Sequence, residues 1–178
     1  MEFLHISDTH FGPTRDLEIR GANVCDRALR LVEEIGKLPF RPDFVIHTGD
    51  VANDPFPGAY ELAAEVLSGI EVPVYYATGN HDDVGMMRDA LAFGPLEPLG
   101  PDGPDRLCYR IAGGLEEKFD LFVMDAKVPP EEGPHGTLPE DQIEAVLSAA
   151  SQDRPVAVFL HYPLTPIGSR WIDDHLLV

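Results

Sequence analysis

Four short polar motifs hold the residues of this chain best suited to chemistry: Asp8-Thr9-His10, Gly49-Asp50, Gly79-Asn80-His81-Asp82 and the lone His161. Asp8, Asp50 and Asp82 would crowd carboxylates together, which is costly unless a cation neutralises them. His10, His81 and His161 add imidazoles, and Asn80 adds an amide oxygen. Mixed oxygen and nitrogen donors suit Mn, Fe, Zn or Co better than Ca or Mg. One carboxylate between two such donor sets can bridge two metals about 3.5–4 Å apart, the geometry of two-metal phosphoester hydrolysis.

The elements that must position these residues follow from the pattern around them. Each motif comes directly after an apolar run that reads as a strand: FLHIS, DFVIHTG, VPVYYATG and VAVFL. In an open α/β sheet, ligands bind outside the carboxyl ends of the strands, so the four motifs should meet in one crevice. Strands are expected over residues 2–7, 43–47, 72–77, 107–111, 119–124 and 155–160, the last as a buried-type run. Helical spacing marks 21–37, 59–67, 84–92 and 139–150, the last with Pro first and acids in its opening turn. The Pro- and Gly-rich stretches 94–104 and 129–139 read as loops. Strands alternating with helices predict an α/β fold around a mostly parallel sheet. Residues 1–178 read as a single domain, with no repeat or linker.

Composition narrows the partners. Thirteen Lys and Arg stand against 31 Asp and Glu, a formal net charge of −18. Binding to nucleic acid through counterion release needs clustered cations, so neither nucleic acid nor an anionic membrane surface is an expected partner. An anionic small substrate needs local neutralisation, for which a bound metal is the natural source. No apolar run is long enough for a membrane span and the N-terminus does not read as a signal peptide. Cys25 and Cys108 form no CxxC and no disulfide framework, so a reducing, cytoplasmic setting is expected.

Taken singly, an Asp and a His after a strand are commonly turn and cap residues, and a Gly-Asp pair is usually just a turn. The functional reading rests on all four motifs occurring in order, each at a strand end. His5 and His47 lie within strands and read as partnered core residues; Cys25 reads as a small buried apolar residue and Trp171 as a packing anchor. His135 lies in a loop that could border the crevice, and His175 reads as structural.

At these motifs the sequence resembles the calcineurin-like metallophosphoesterase superfamily, whose pattern runs D-x-H, GD, GNH[D/E], a lone His and then GHxH. SDTH, TGDV, TGNHDD and FLHYP match the first four blocks. The ISDTHFG opening and the His135-Gly136-Thr137-Leu138 loop are similar to the class III cyclic-nucleotide phosphodiesterase-like branch. The resemblance implies a metallophosphoesterase-type αββα sandwich with a dinuclear site of divalent transition metals. It implies that Asp8 and His10 bind the first metal, Asp50 bridges, Asn80 and His161 bind the second, and His81 contacts the phosphate as general acid or transition-state donor. A metal-bridging hydroxide would be the nucleophile.

Two departures qualify this. Asn53 and Asp54 stand where the protein serine/threonine phosphatase branch has an acid followed by an arginine, which argues against a phosphoprotein phosphatase and leaves Asn53 to hydrogen-bond and orient His81. The GHxH block has no counterpart before residue 178. From this the second sheet is expected to be incomplete, metal occupancy partial, and an uncovered apolar edge to favour a homo-oligomer, most simply a dimer. The expected function is hydrolysis of small phosphodiesters or phosphomonoesters, cyclic nucleotides among them. The alternative is a degenerate, non-catalytic relative that binds metal or a partner; a nuclease is opposed by the charge.

Overall fold

The computed structural model describes residues 1–100, 106–114, 118–129, 132–133 and 135–177, with the side chain of Trp171 also outside the description. The packing role expected of Trp171, and parts of the loops expected at 94–104 and 129–139, therefore lie outside the described residues. The elements in chain order are β1 (Phe3–Ile6), β2 (Glu18–Ile19), β3 (Ala22–Asn23), α1 (Val24–Gly36), β4 (Phe44–His47), α2 (Pro57–Leu67) and β5 (Val74–Tyr76). They continue with α3 (Val84–Ala90), β6 (Leu96–Pro98), β7 (Tyr109–Ile111), β8 (Asp120–Val123), α4 (Glu140–Ala149), β9 (Val156–Phe159) and α5 (Arg170–Asp173).

Two sheets face each other. The first is parallel, with order β1-β4-β5 and Phe3 opposite Phe44, Val45 opposite Val74. The second has order β6-β7-β8-β9; β7 runs antiparallel to both β6 and β8, and β9 joins β8 in parallel. Side-chain alternation along β7 and β8 gives each face of this sheet its own partner. Tyr109, Ile111, Leu121 and Val123 join the core shared with the first sheet, α1 and α2. Cys108, Phe122 and Met124 pack instead with Val146 of α4. The layers are thus helix, sheet, sheet, helix, an αββα sandwich.

The core is deepest at β4. Phe44, Val45 and Ile46 are fully buried, and burying such a side chain contributes about 1.5–3 kcal/mol. The Phe44 ring stacks on Phe3 at 5.1 Å and meets Tyr75 edge-on at 5.6 Å. Asn23 explains why α1 starts at Val24 and not at 21: its side chain accepts from the Asp26 N–H at 2.9 Å, the usual N-cap bond. Pro57 opens α2 at the position where a missing N–H costs nothing.

The αββα sandwich implied by the resemblance, with one parallel sheet, is the architecture found. The structure departs from expectation in three places. The expected loop at 94–104 contains β6, a three-residue edge strand in which Pro98 is tolerated because an edge needs no second ladder. The β2–β3 hairpin and α5 are too short, at two residues per strand and four residues, to leave a periodic signal. The run at β9 is not buried: as an edge strand it leaves Val156 and Val158 50% and 41% exposed. No helix among the described residues is long and apolar enough to cross a membrane.

Candidate metal centre

The turns after β1, β4 and β5, and the end of β9, converge on one cleft of about 660 Å³ lined by Asp8, His10, Asp50, Asn80, His81 and His161. The backbone pays for this arrangement in strain. Asp8, His10 and Asp50 have φ of 58°, 50° and 54°, in the left-handed region, at a cost of about 1–2 kcal/mol each for a residue with a Cβ. Such strain gathers at functional sites because the surrounding structure over-determines it.

The over-determination can be traced bond by bond. The turn after β1 is zipped to the turn after β4: Asp8 N–H donates to Gly49 C=O at 3.0 Å, His10 N–H to Asp50 C=O at 3.0 Å and Phe11 N–H to Val51 C=O at 2.8 Å. Beneath it His47 is fully buried. Its Nδ1 accepts from Gly49 N–H at 3.3 Å, so Nε2 carries the proton and donates to Thr9 Oγ1 at 2.9 Å. Thr9 passes its own hydrogen to Val51 C=O at 3.2 Å. Burial pushes the His47 imidazole down to about 3, in keeping with this neutral tautomer.

Asp82 ties the turn after β4 to the turn after β5. Its fully buried carboxylate accepts from the N–H groups of Val51, Ala52 and Gly79 at 3.2, 3.1 and 3.0 Å. Burial raises its pKa, and those N–H groups oppose the rise. The two turns come so close that a Cβ on Gly49 would collide with Gly79, and one on Gly79 with Asp50; only glycine permits the approach.

Asp50 sits at the centre. Its Oδ1 accepts from His81 N–H at 3.0 Å. Its Oδ2 lies 3.7 Å from both His10 Nε2 and His161 Nε2. His10 Nε2 is also 3.7 Å from Asp8 Oδ1. These separations are too long for hydrogen bonds, but donor atoms about 2.0–2.2 Å from a shared metal ion stand roughly 3–3.6 Å apart. Potential ligand atoms of Asp8, Asp50 and His161 all lie within 4.8 Å of one another, as do those of His10, Asp50 and His81.

The donor chemistry fits cations. His161 Nδ1–H donates to Thr48 C=O at 2.8 Å, which leaves Nε2 a lone pair. That lone pair faces Asn80 Oδ1 at 3.2 Å, another acceptor, and a cation between them reconciles the two. His10 Nδ1 is buried without a hydrogen-bond partner among the described residues. Electrostatics agree: burial opposes ionisation of Asp8, yet the facing His10 and the Ser7 hydroxyl outweigh it and bring its carboxyl down to about 2. Asp8 and Asp50 in turn raise the His10 imidazole against its own burial. The site favours positive charge at its centre.

The remaining residues expected at the site fall as follows. His81 Nδ1–H donates to the main-chain carbonyl of Asn53 at 2.6 Å, while the Asn53 side chain turns to Asp54 at 2.8 Å. The contact that orients His81 is thus one that any residue at 53 could make. Its ring meets His10 edge-on at 5.1 Å, within ligand reach as well as open to the cleft. His5 is exposed on the edge strand β1 and bonds Thr48, so it is partnered but not core. His135 is not among the residues lining the cleft, whereas His175, beyond α5, is. Sequence reasoning counted Asp82 with the crevice carboxylates and had no signal for Arg20 and Arg27, which also line the cleft.

Comparison with known proteins places this geometry. The chain is 33% identical over 177 residues to the glycerophosphodiester phosphodiesterase GpdQ of Enterobacter lignolyticus, covering 97% of this chain and 60% of that protein. It is 28% identical over 180 residues to the 3′,5′-cyclic adenosine monophosphate phosphodiesterase CpdA of Escherichia coli, covering 99% and 60%. A probable cyclic nucleotide phosphodiesterase of Rhodopseudomonas palustris is 32% identical over 179 residues, covering 97% and 61%. The chain thus spans about three fifths of the length of these curated relatives. The family model described as calcineurin-like phosphoesterase matches residues 1–177. With that match along the chain, and the four motifs gathered around Asp50, the protein belongs to the calcineurin-like phosphoesterase family.

Proposed function

We propose that this chain binds two divalent transition-metal ions and hydrolyses small phosphate esters, phosphodiesters first among them. The observation that carries the reading is the position of Asp50 Oδ2, equidistant at 3.7 Å from His10 Nε2 and His161 Nε2. One carboxylate between two donor sets is what a shared ligand requires. Asp8 and His10 would hold one ion with Asp50; Asn80 and His161 would hold the other with it. The ions, when bound, supply Lewis acidity toward the phosphoryl oxygens and activate water.

The rest is the work of side chains. His161 and Asp50 are held by Thr48 C=O and by His81 N–H, so ligand orientation is set before anything binds. His81, with Nδ1–H committed to Asn53 C=O, has Nε2 for the phosphate, to stabilise developing charge or to give a proton to the leaving oxygen. Similarity to enzymes named for cyclic nucleotides and for glycerophosphodiesters supports phosphodiesters as the substrate class. The net charge of −18 supports a small substrate over nucleic acid.

Hydrolysis of bis(p-nitrophenyl) phosphate with added Mn, alongside elemental analysis of bound metal, tests this. Asp50→Ala should lose both metal and turnover. His81→Ala should keep most of the metal and lose turnover by about 10²-fold or more, the scale of general acid catalysis. Metal binding without turnover in the unaltered chain would leave a non-catalytic metal-binding relative. If His81→Ala strips the metal, His81 is a ligand and not a phosphate contact.

A further inference from the structure

We propose that Arg20 and Arg27 grip a second anionic group of the substrate, so that the preferred substrates are phosphate esters carrying a carboxylate or a further phosphate on the same small molecule. The inference deepens the phosphohydrolase reading and rests on it. Both arginines line the metal cleft. Arg27 also lines an adjoining cavity of about 240 Å³ together with Asp8 and His10, so Arg27 lies toward the Asp8–His10 side of the site.

Both are uncommitted. Acidic residues outnumber Lys and Arg by 31 to 13, and several cations are consumed by neighbours: Arg15 pairs with Glu65, Lys37 with Glu33, and Arg110 and Arg154 with Asp120. Among the described residues, neither Arg20 nor Arg27 makes an ion pair or side-chain hydrogen bond. The acids that line the same cleft, Asp8 and Asp50, face His10 and His161 instead. Two guanidinium groups with no committed partner thus border a cleft whose carboxylates are engaged elsewhere.

The backbone points the same way. Arg20 and Gly21 form the turn of the β2–β3 hairpin with φ of 52° and 75°. A two-residue turn with positive φ at both positions favours Asn, Asp or Gly at the first. Arginine there carries the left-handed strain of a residue with a Cβ. The other described non-glycine residues with positive φ are Asp8, His10 and Asp50, and all four line this cleft. The hairpin is held from below by Asn23 Nδ2–H to Arg15 C=O at 2.8 Å and Val24 N–H to Leu17 C=O at 3.0 Å. A guanidinium fork matches the paired oxygens of a carboxylate or phosphate. The scissile phosphate belongs to the metal ligands and His81, so the arginines serve a group beyond it.

The test uses three Mn-supplemented p-nitrophenyl phosphodiesters that differ in the second arm: ethyl, 2-carboxyethyl and 2-phosphonoethyl. The unaltered protein should show kcat/KM about tenfold higher for the charged arms than for ethyl, the scale of one charge-assisted contact. In the Arg20→Gln, Arg27→Gln double variant that ratio should fall to about one. The carboxylate and phosphonate arms show which anion is preferred. A ratio near one in the unaltered protein, or a ratio that survives the double substitution, overturns the proposal. Calorimetric binding of 3-phosphonopropionate separates this from failure of the hydrolase reading. If all three esters are inert, binding about tenfold weaker in the double variant still assigns the arginines, and equal binding removes them.

Discussion

β4 and β9 are both four-residue apolar strands that lead into a proposed metal ligand, Asp50 and His161, yet they are built differently. β4 has a strand on either side and every residue buried. β9 is an edge strand whose alternate residues face outward. Asp50 is therefore placed by the centre of the fold and by the N–H groups around it. His161 is placed by its bond to Thr48 C=O, at the end of β4. One half of the site is fixed by the centre of the fold, and the other takes its register from it.

The largest test of this contrast is Phe44→Ala. It should cost about 3–5 kcal/mol, as for a large aromatic truncated in a packed core, read from the midpoint of denaturant unfolding. A loss under about 1 kcal/mol would mean β4 is not the organising strand.

Next comes Asp82→Ala, which strands three buried N–H groups. At about 1–3 kcal/mol for an unsatisfied buried group, with incomplete additivity, a loss of about 2–4 kcal/mol is expected together with weaker metal binding. Retained metal affinity would show that the turns keep their places without the Asp82 tie.

A pH series probes the same scaffold. The folded chain protonates His47 only near pH 3, whereas an unfolded histidine does so near 6.5. Below about 6.5 the unfolded chain binds the extra proton, so stability contributed by the neutral His47 is lost as pH falls, by about 1.4 kcal/mol per pH unit. It is regained as pH rises back through that range. His47→Gln, which cannot titrate, should flatten the fall in melting temperature between pH 6 and pH 4. An unchanged slope would place the acid sensitivity elsewhere.

The smallest effect is expected at the edge. Val158→Thr, at a site 41% exposed, should change stability by no more than about 0.5 kcal/mol. A loss comparable to that of Phe44→Ala would show that β9 is covered in solution, by a second copy or another partner.

Much of this was legible in the residues. The β1, β4 and β5 runs, and the helical spacing of α1, α2 and α4, are local patterns because side-chain periodicity is imposed within each element. The placement of the four motifs at strand ends follows from the same patterns. The two-residue strands β2 and β3 are too short to show alternation and α5 is a single turn, so these stayed hidden. The apolar run of β9 looks the same whether a second neighbour covers it or solvent does, so its edge position was not readable.

Residue types and their spacing thus set the alternating elements, the order of the motifs and the donor types available to a metal. Which carboxylate is central and which is a tie depends on the packing of distant segments. Asp50 and Asp82 are both buried acids in turns, but Asp82 is surrounded by three N–H groups from segments up to 31 residues away, while Asp50 turns one oxygen toward two imidazoles. The same packing brings Arg20 and Arg27 to the border of the cleft and sets His47 beneath it. Burial and electrostatic field at a residue depend on which distant segments pack beside it, and no local pattern records that.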